Sequence, residues 1–153
     1  MNKCYLGKYV NTHGLKGEIR IKSNFPYKSK VFKINNEIII KDIVYVIKSY
    51  RVHKDYDMVT LDGINDINMI PFPKNTAVFI DRDKFLDKKD YLDSDLIGFV
   101  VYNSKIEREV LDILRINDKK KLIKTNTGYI PFELVKNIDL ENGRIQIEDV
   151  DGL

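Results

Sequence analysis

The side chains of this chain best suited to chemistry are cationic and cluster near its start. His13, Lys16 and Arg20 fall within the run Gly7-Lys8-Tyr9-Val10-Asn11-Thr12-His13-Gly14-Leu15-Lys16-Gly17-Glu18-Ile19-Arg20-Ile21, and Arg51, His53 and Lys54 form a second group. An imidazole can stack on a base or bond a phosphate, and guanidinium and ammonium groups hold phosphate oxygens. The same residues make a poor catalytic set. Nucleophilic catalysis needs a Ser, Cys or Thr with a base and an orienting group in reach, and neither histidine stands in a nucleophile motif. The two common glycine-rich phosphate cradles, G-x-x-x-x-G-K-[ST] and G-x-G-x-x-G, do not occur. Cys4 is the one cysteine, which excludes an internal disulfide and a multi-cysteine zinc site. The spacing of Cys4, His13 and His53 gives no reason to expect a metal. The expected chemistry is binding, with no catalytic, metal-ligating or cofactor-holding residue.

These groups need a scaffold, and the surrounding sequence supplies one. Gly14 and Gly17 permit backbone angles that a Cβ disfavours, and they bracket a loop. After it, Glu18-Ile19-Arg20-Ile21-Lys22 alternates polar and apolar at the period of a half-buried strand. Residues 4–10, 17–23, 36–41, 43–54, 56–61 and 75–80 read as strands rich in Ile, Val and Tyr, separated by Asn, Gly, Pro or charge. Asp42 and Lys54-Asp55-Tyr56-Asp57 mark turns, and residues 64–70 read as a short helical segment ended by Pro71 and Pro73. The apolar pattern then lapses. It resumes in strand-like segments at 97–102, 110–116, 121–125 and 144–148. The expected fold is all-β: two small β-barrels, residues 1–82 and 90–153, joined by a linker at 83–89.

The net charge of +3 conceals an asymmetry. Residues 1–54 carry twelve Lys and Arg against three acids, a net of +9, whereas residues 90–153 carry nine against thirteen, a net of −4. Positive charge gathered in one half favours phosphate backbones through counterion release. The apolar runs are short, as in Ile38-Ile39-Ile40 closed by Glu37 and Lys41, and none approaches a membrane span. The first residues lack the apolar segment of a signal peptide. A soluble cytoplasmic protein without a membrane partner is expected, and two closed barrels suggest a monomer. Among other residues, Tyr45 and Tyr50 read as packing, Asp93 and Asp95 as turn caps, and Lys119-Lys120-Lys121 as a solvated hairpin turn. Tyr91, in charge-dense surroundings, reads as a partner contact.

Taken together, the segments resemble the RimM family of bacterial ribosome maturation factors across nearly the whole chain. The resemblance rests on Gly7-Lys8-Tyr9-Val10 with Thr12-His13-Gly14-Leu15-Lys16-Gly17-Glu18-Ile19-Arg20, on Tyr91 followed by Asp95-Leu96-Ile97-Gly98, and on Ile130-Pro131-Phe132, Val135, Ile138-Asp139-Leu140 and Gly152-Leu153. It implies a RimM N-terminal barrel followed by a PRC-type barrel. It also implies a non-enzymatic assembly factor that binds the head of the immature small (30S) ribosomal subunit, meets a head ribosomal protein and assists 16S rRNA processing. On this basis the candidates for rRNA or ribosome binding are His13, Gly14, Lys16, Gly17, Arg20, Arg51, His53 and Lys54. Where the family often has adjacent tyrosines that meet the subunit, this chain has Tyr91 and Leu92, the candidates for the ribosomal-protein contact. After Gly98, the stretch Asn103-Ser104-Lys105-Ile106-Glu107-Arg108-Glu109-Val110 departs from the family's usual glycine-containing turn. A free-standing RNA-binding barrel acting outside ribosome assembly is the alternative.

Overall fold

The computed structural model describes all 153 residues and divides into two compact units, Met1–Asp87 and Lys88–Leu153. Both are built almost wholly of antiparallel strands, so the chain is all-β with two barrel-like units. No helix is long and apolar enough to cross a membrane.

The first unit contains β1 (Lys3–His13), β2 (Glu18–Lys22), β3 (Glu37–Ile40), β4 (Ile43–His53), β5 (Tyr56–Leu61) and β6 (Thr76–Asp81). They close into a barrel in the order β1-β2-β5-β4-β3-β6, which leaves no unpaired strand edge. Period-two alternation builds the interior. Ile19, Ile21, Ile38, Ile40, Val78 and Ile80 are all fully buried, and the residues between them face the other way. Closing six strands needs sharp bends, and β1 supplies two: its pairing slips between Tyr5 and Gly7 against β6, and between Tyr9 and Asn11 against β2. Gly7 serves this geometry, since a Cβ there would lie 2.4 Å from the Lys22 carbonyl oxygen.

A four-residue helix, α1 (Lys28–Val31), lies between β2 and β3 and buries Val31. Beside it, Tyr50 stacks on Phe32 with ring centroids 5.3 Å apart. The Tyr50 hydroxyl donates to Asp57 Oδ1 at 2.7 Å and Lys28 Nζ donates to Oδ2 at 3.0 Å, so both oxygens of this buried carboxylate are engaged. Burial first, then the bond to Asp57, pushes the Tyr50 hydroxyl well above the ordinary tyrosine range. The expected helical segment appears as one 3-10 turn at Ile67–Met69, capped by the Asp66 side chain.

The second unit contains β7 (Val100–Tyr102), β8 (Glu107–Asn117), β9 (Lys120–Thr125), β10 (Gly128–Pro131), β11 (Val135–Asp139) and β12 (Arg144–Ile147). They form a six-stranded sheet in the order β10-β9-β8-β7-β12-β11, in which β7 and β12 pair in parallel. One core fills it: Leu96, Val101, Val110, Ile123, Ile130, Ile145 and Ile147, with Tyr91 among the half-buried residues packed against it. Lys121 is not the solvated turn residue expected. Its ammonium bonds Asp93 at 2.9 Å and lies 4.0 Å from the centroid of Phe132. Asp95 behaves as a cap, accepting the Leu92 N–H at 2.8 Å, while Asp93 is an ion-pair partner.

Candidate nucleic-acid interface

The first barrel brings the two cationic groups of the sequence onto one surface. Across four strands the register places Asn11 opposite Arg20, Arg20 opposite Met58, and Met58 opposite Arg51. Met58 is fully buried between the two arginines, whose aliphatic stems can cover it while their head groups reach outward. His13 ends β1 opposite Glu18; it is not at the tip of the loop, which is formed by Gly14–Gly17. Its ring lies 5.7 Å from that of His53, so residues forty apart in sequence meet.

Both arginines are held by the protein itself. One Arg20 nitrogen donates to Asn11 Oδ1 and to the Thr12 carbonyl, each at 2.9 Å, and the other donates to His13 Nδ1 at 2.6 Å. Arg20 can only donate, so His13 accepts at Nδ1, and its Nε2–H is left to face a partner. Arg51 makes a two-pronged pair with Glu18, Nε to Oε2 at 2.9 Å and a terminal nitrogen to Oε1 at 2.8 Å. The bond from Arg51 holds the Glu18 carboxyl below the usual carboxylate range, with the charges of Arg51 and Arg20 contributing. Arg20 and Arg51 thus shape the surface more than they offer unpaired charge.

The cations left to meet a ligand are lysines. Lys16, in the Gly14–Gly17 loop, and Lys54, in the β4–β5 turn with φ +55°, are exposed and unpaired. A groove of about 420 Å³ adjoins this turn, lined by Lys22, Lys28, Lys54, Tyr50 and Tyr56 among others. Gly14 and Gly17 both have positive φ, +70° and +85°. Gly14 faces open space, whereas a Cβ on Gly17 would stand 3.0 Å from Ile64 Cγ2. The loop is further tied down by the Ile67 N–H, which donates to the Leu15 carbonyl at 3.0 Å.

Sequence reasoning overlooked Glu18, Asn11, Met58 and Lys22. Glu18 and Lys22 were discoverable, because two-residue spacing puts both on the face of Arg20; the Glu18–Arg51 partnership, thirty-three residues apart, was not. Tyr91 lies against the core of the second unit, and Leu92 precedes the 3-10 turn Asp93–Leu96. Both are partly exposed.

The chain is similar in sequence to proteins of known name. Residues 4–85 match the family model described as the RimM N-terminal domain. The chain is 34% identical to a protein named ribosome maturation factor RimM from Staphylococcus aureus, over 97% of this chain and 96% of that one. It is 35% identical, with the same coverage, to a protein of that name from Staphylococcus epidermidis. Among solved structures, the N-terminal domain of RimM from Thermus thermophilus aligns with 57% of this chain and 98% of its own, at 15% identity and a TM-score of 0.49.

Proposed function

The chain belongs to the RimM family, and on that premise we propose that it is a non-enzymatic assembly factor for the small ribosomal subunit. It binds the head of the immature 30S particle in the cytoplasm, as a monomer, and promotes maturation and 16S rRNA processing by holding a conformation. The polar surface of the first barrel meets rRNA. Lys16 and Lys54 contact phosphates, while the His13 Nε2–H and the edges of the fixed arginines set the register. The second unit, a PRC-type barrel with an acid excess, meets a basic protein of the subunit head through a surface that includes Tyr91 and Leu92. Opposite charge there speeds encounter and fixes orientation more than it adds affinity. Release follows if the finished head binds less tightly than the intermediate.

The observation that carries this reading is that two sequence-distant cationic groups meet on one surface, with their arginines fixed and their lysines unpaired. Co-sedimentation with separated ribosomal fractions over a salt series tests it. The expected result is binding to free small subunits and not to large subunits or assembled ribosomes. Lys16→Gln with Lys54→Gln should lower the log-log salt slope by about 1.5. Absence of small-subunit binding together with tight binding to naked RNA would favour the free-standing RNA-binding protein.

A further inference from the structure

The first barrel carries a second outward row that the surface above does not use. Tyr5 stands opposite Phe79, Phe79 opposite Ile39, and Ile39 opposite Val44, so the row crosses β1, β6, β3 and β4. The alternate residues Ile38, Ile40, Val78 and Ile80 fill the interior, which turns this row outward, with Ile39 itself covered and its two ends, Tyr5 and Val44, open to solvent. Tyr5 is 55% exposed and Val44 42%. The Tyr5 and Phe79 rings meet edge to face at 5.9 Å, and Lys3 Nζ sits 4.5 Å from the Phe79 centroid. Beside Phe79 runs a groove of about 460 Å³, whose lining includes Lys3, Lys41 and Lys74. The single acid of that lining, Asp42, is bound to Lys3 at 2.7 Å, which leaves an excess of two lysines.

We propose that this row is a second RNA-binding face, which takes an unpaired, single-stranded segment by stacking a base on Tyr5 while Lys41 and Lys74 hold the flanking phosphates. The inference rests on the assembly-factor reading and adds to it the kind of RNA recognised. An aromatic ring on the open face of an antiparallel sheet, with cations beside it, suits a base whose π-face is free. A duplex keeps those faces stacked inside, and an apolar partner lacking anions would leave the lysine excess unanswered.

The test uses the full chain and a labelled single-stranded RNA of mixed sequence, compared with a duplex of equal length. Tyr5→Ala should weaken single-strand binding by at least about fivefold, and Tyr5→Trp should restore it. Lys41→Gln with Lys74→Gln should lower the salt slope by about 1.4. An unchanged thermal midpoint for Tyr5→Ala separates lost contact from lost fold. Equal affinity for duplex and single strand overturns the proposal. So does unchanged single-strand affinity in Tyr5→Ala while Lys16→Gln/Lys54→Gln still weakens subunit binding, a result that leaves the assembly-factor reading standing. A dimer that Tyr5→Ala dissolves would assign the face to a second copy and overturn it too. Failure of the wild-type protein to bind small subunits overturns the assembly-factor reading instead.

Discussion

Gly17→Ala should destabilise the first unit far more than Gly14→Ala, although both glycines have positive φ in the same loop. At Gly14 the added methyl meets nothing within 4 Å, so the only folded-state cost is the left-handed backbone at φ +70°. That is about 1–2 kcal/mol, partly offset by the 0.4–1 kcal/mol that alanine gains by restricting the unfolded chain. At Gly17 the same terms apply, and the methyl also arrives 3.0 Å from Ile64 Cγ2, 3.3 Å from the Ile64 carbonyl and 3.4 Å from the Asp66 amide. Two of these atoms are backbone and Ile64 is buried, so the 64–67 segment must move. Overpacking of this kind costs about 1–3 kcal/mol. The difference between the variants is then about 2 kcal/mol, or about 1 M in urea midpoint at a slope near 2 kcal/mol per molar. Because two units unfold, hydrogen exchange resolved by peptide should follow β1 and β2 separately. Gly17→Ala should also weaken small-subunit binding, since Gly17 precedes the Glu18 that orients Arg51. Equal losses in the two variants would refute the packing argument.

Three further outcomes are expected. Glu18 has a lowered pKa when folded, so its contribution is present above the unfolded carboxyl value near 4.3 and is lost as pH falls through the folded one. Thermal melts from pH 6 to 3 should show a small acid-side loss that Glu18→Gln removes, small because half of Arg51 lies in solvent. Tyr50 has the opposite sign: its raised value means stability present below pH about 10 and lost as pH climbs above it, and Tyr50→Phe should flatten that alkaline decline. The β3–β4 turn places Lys41 and Asp42 at φ +53° and +63° between the paired residues Ile40 and Ile43. Replacing the two by Asn-Gly, the pair that such turns favour, should raise the melting midpoint of the first unit by about 5 °C.

The strands of the first barrel were legible because alternation of Ile and Val with polar residues is a direct imprint of the pleat, as in Glu18 to Lys22. So were the glycines of its loop. α1 was not legible: four residues after Asn24-Phe25-Pro26-Tyr27, with no side-chain cap, leave no periodic signal. β10 and β11 were missed as strands because Pro131 and the turn Phe132–Leu134 interrupt them. The cationic residues of the site could be listed from sequence, but their states could not. Whether an arginine is free or held depends on Asn11, the Thr12 carbonyl and Glu18 arriving from other strands, and register decides that. Lys121 makes the same point in the second unit, where Asp93 arrives from outside its hairpin.

β1 gives the first barrel a built-in measure of distance. Tyr5 and His13 stand on one strand, eight residues apart, hydrogen-bonded to β6 toward one end and β2 toward the other. At about 3.3 Å per residue a straight strand would set the two positions at most roughly 25 Å apart; the two bends of β1 between them shorten that, and the ladders on both sides keep the span fixed. An RNA that touches both ends at once must bring an unpaired base and a phosphate cluster to that separation. On the proposed reading the strand would work as a caliper, gripping one stage of folding and losing its grip when the two points move apart.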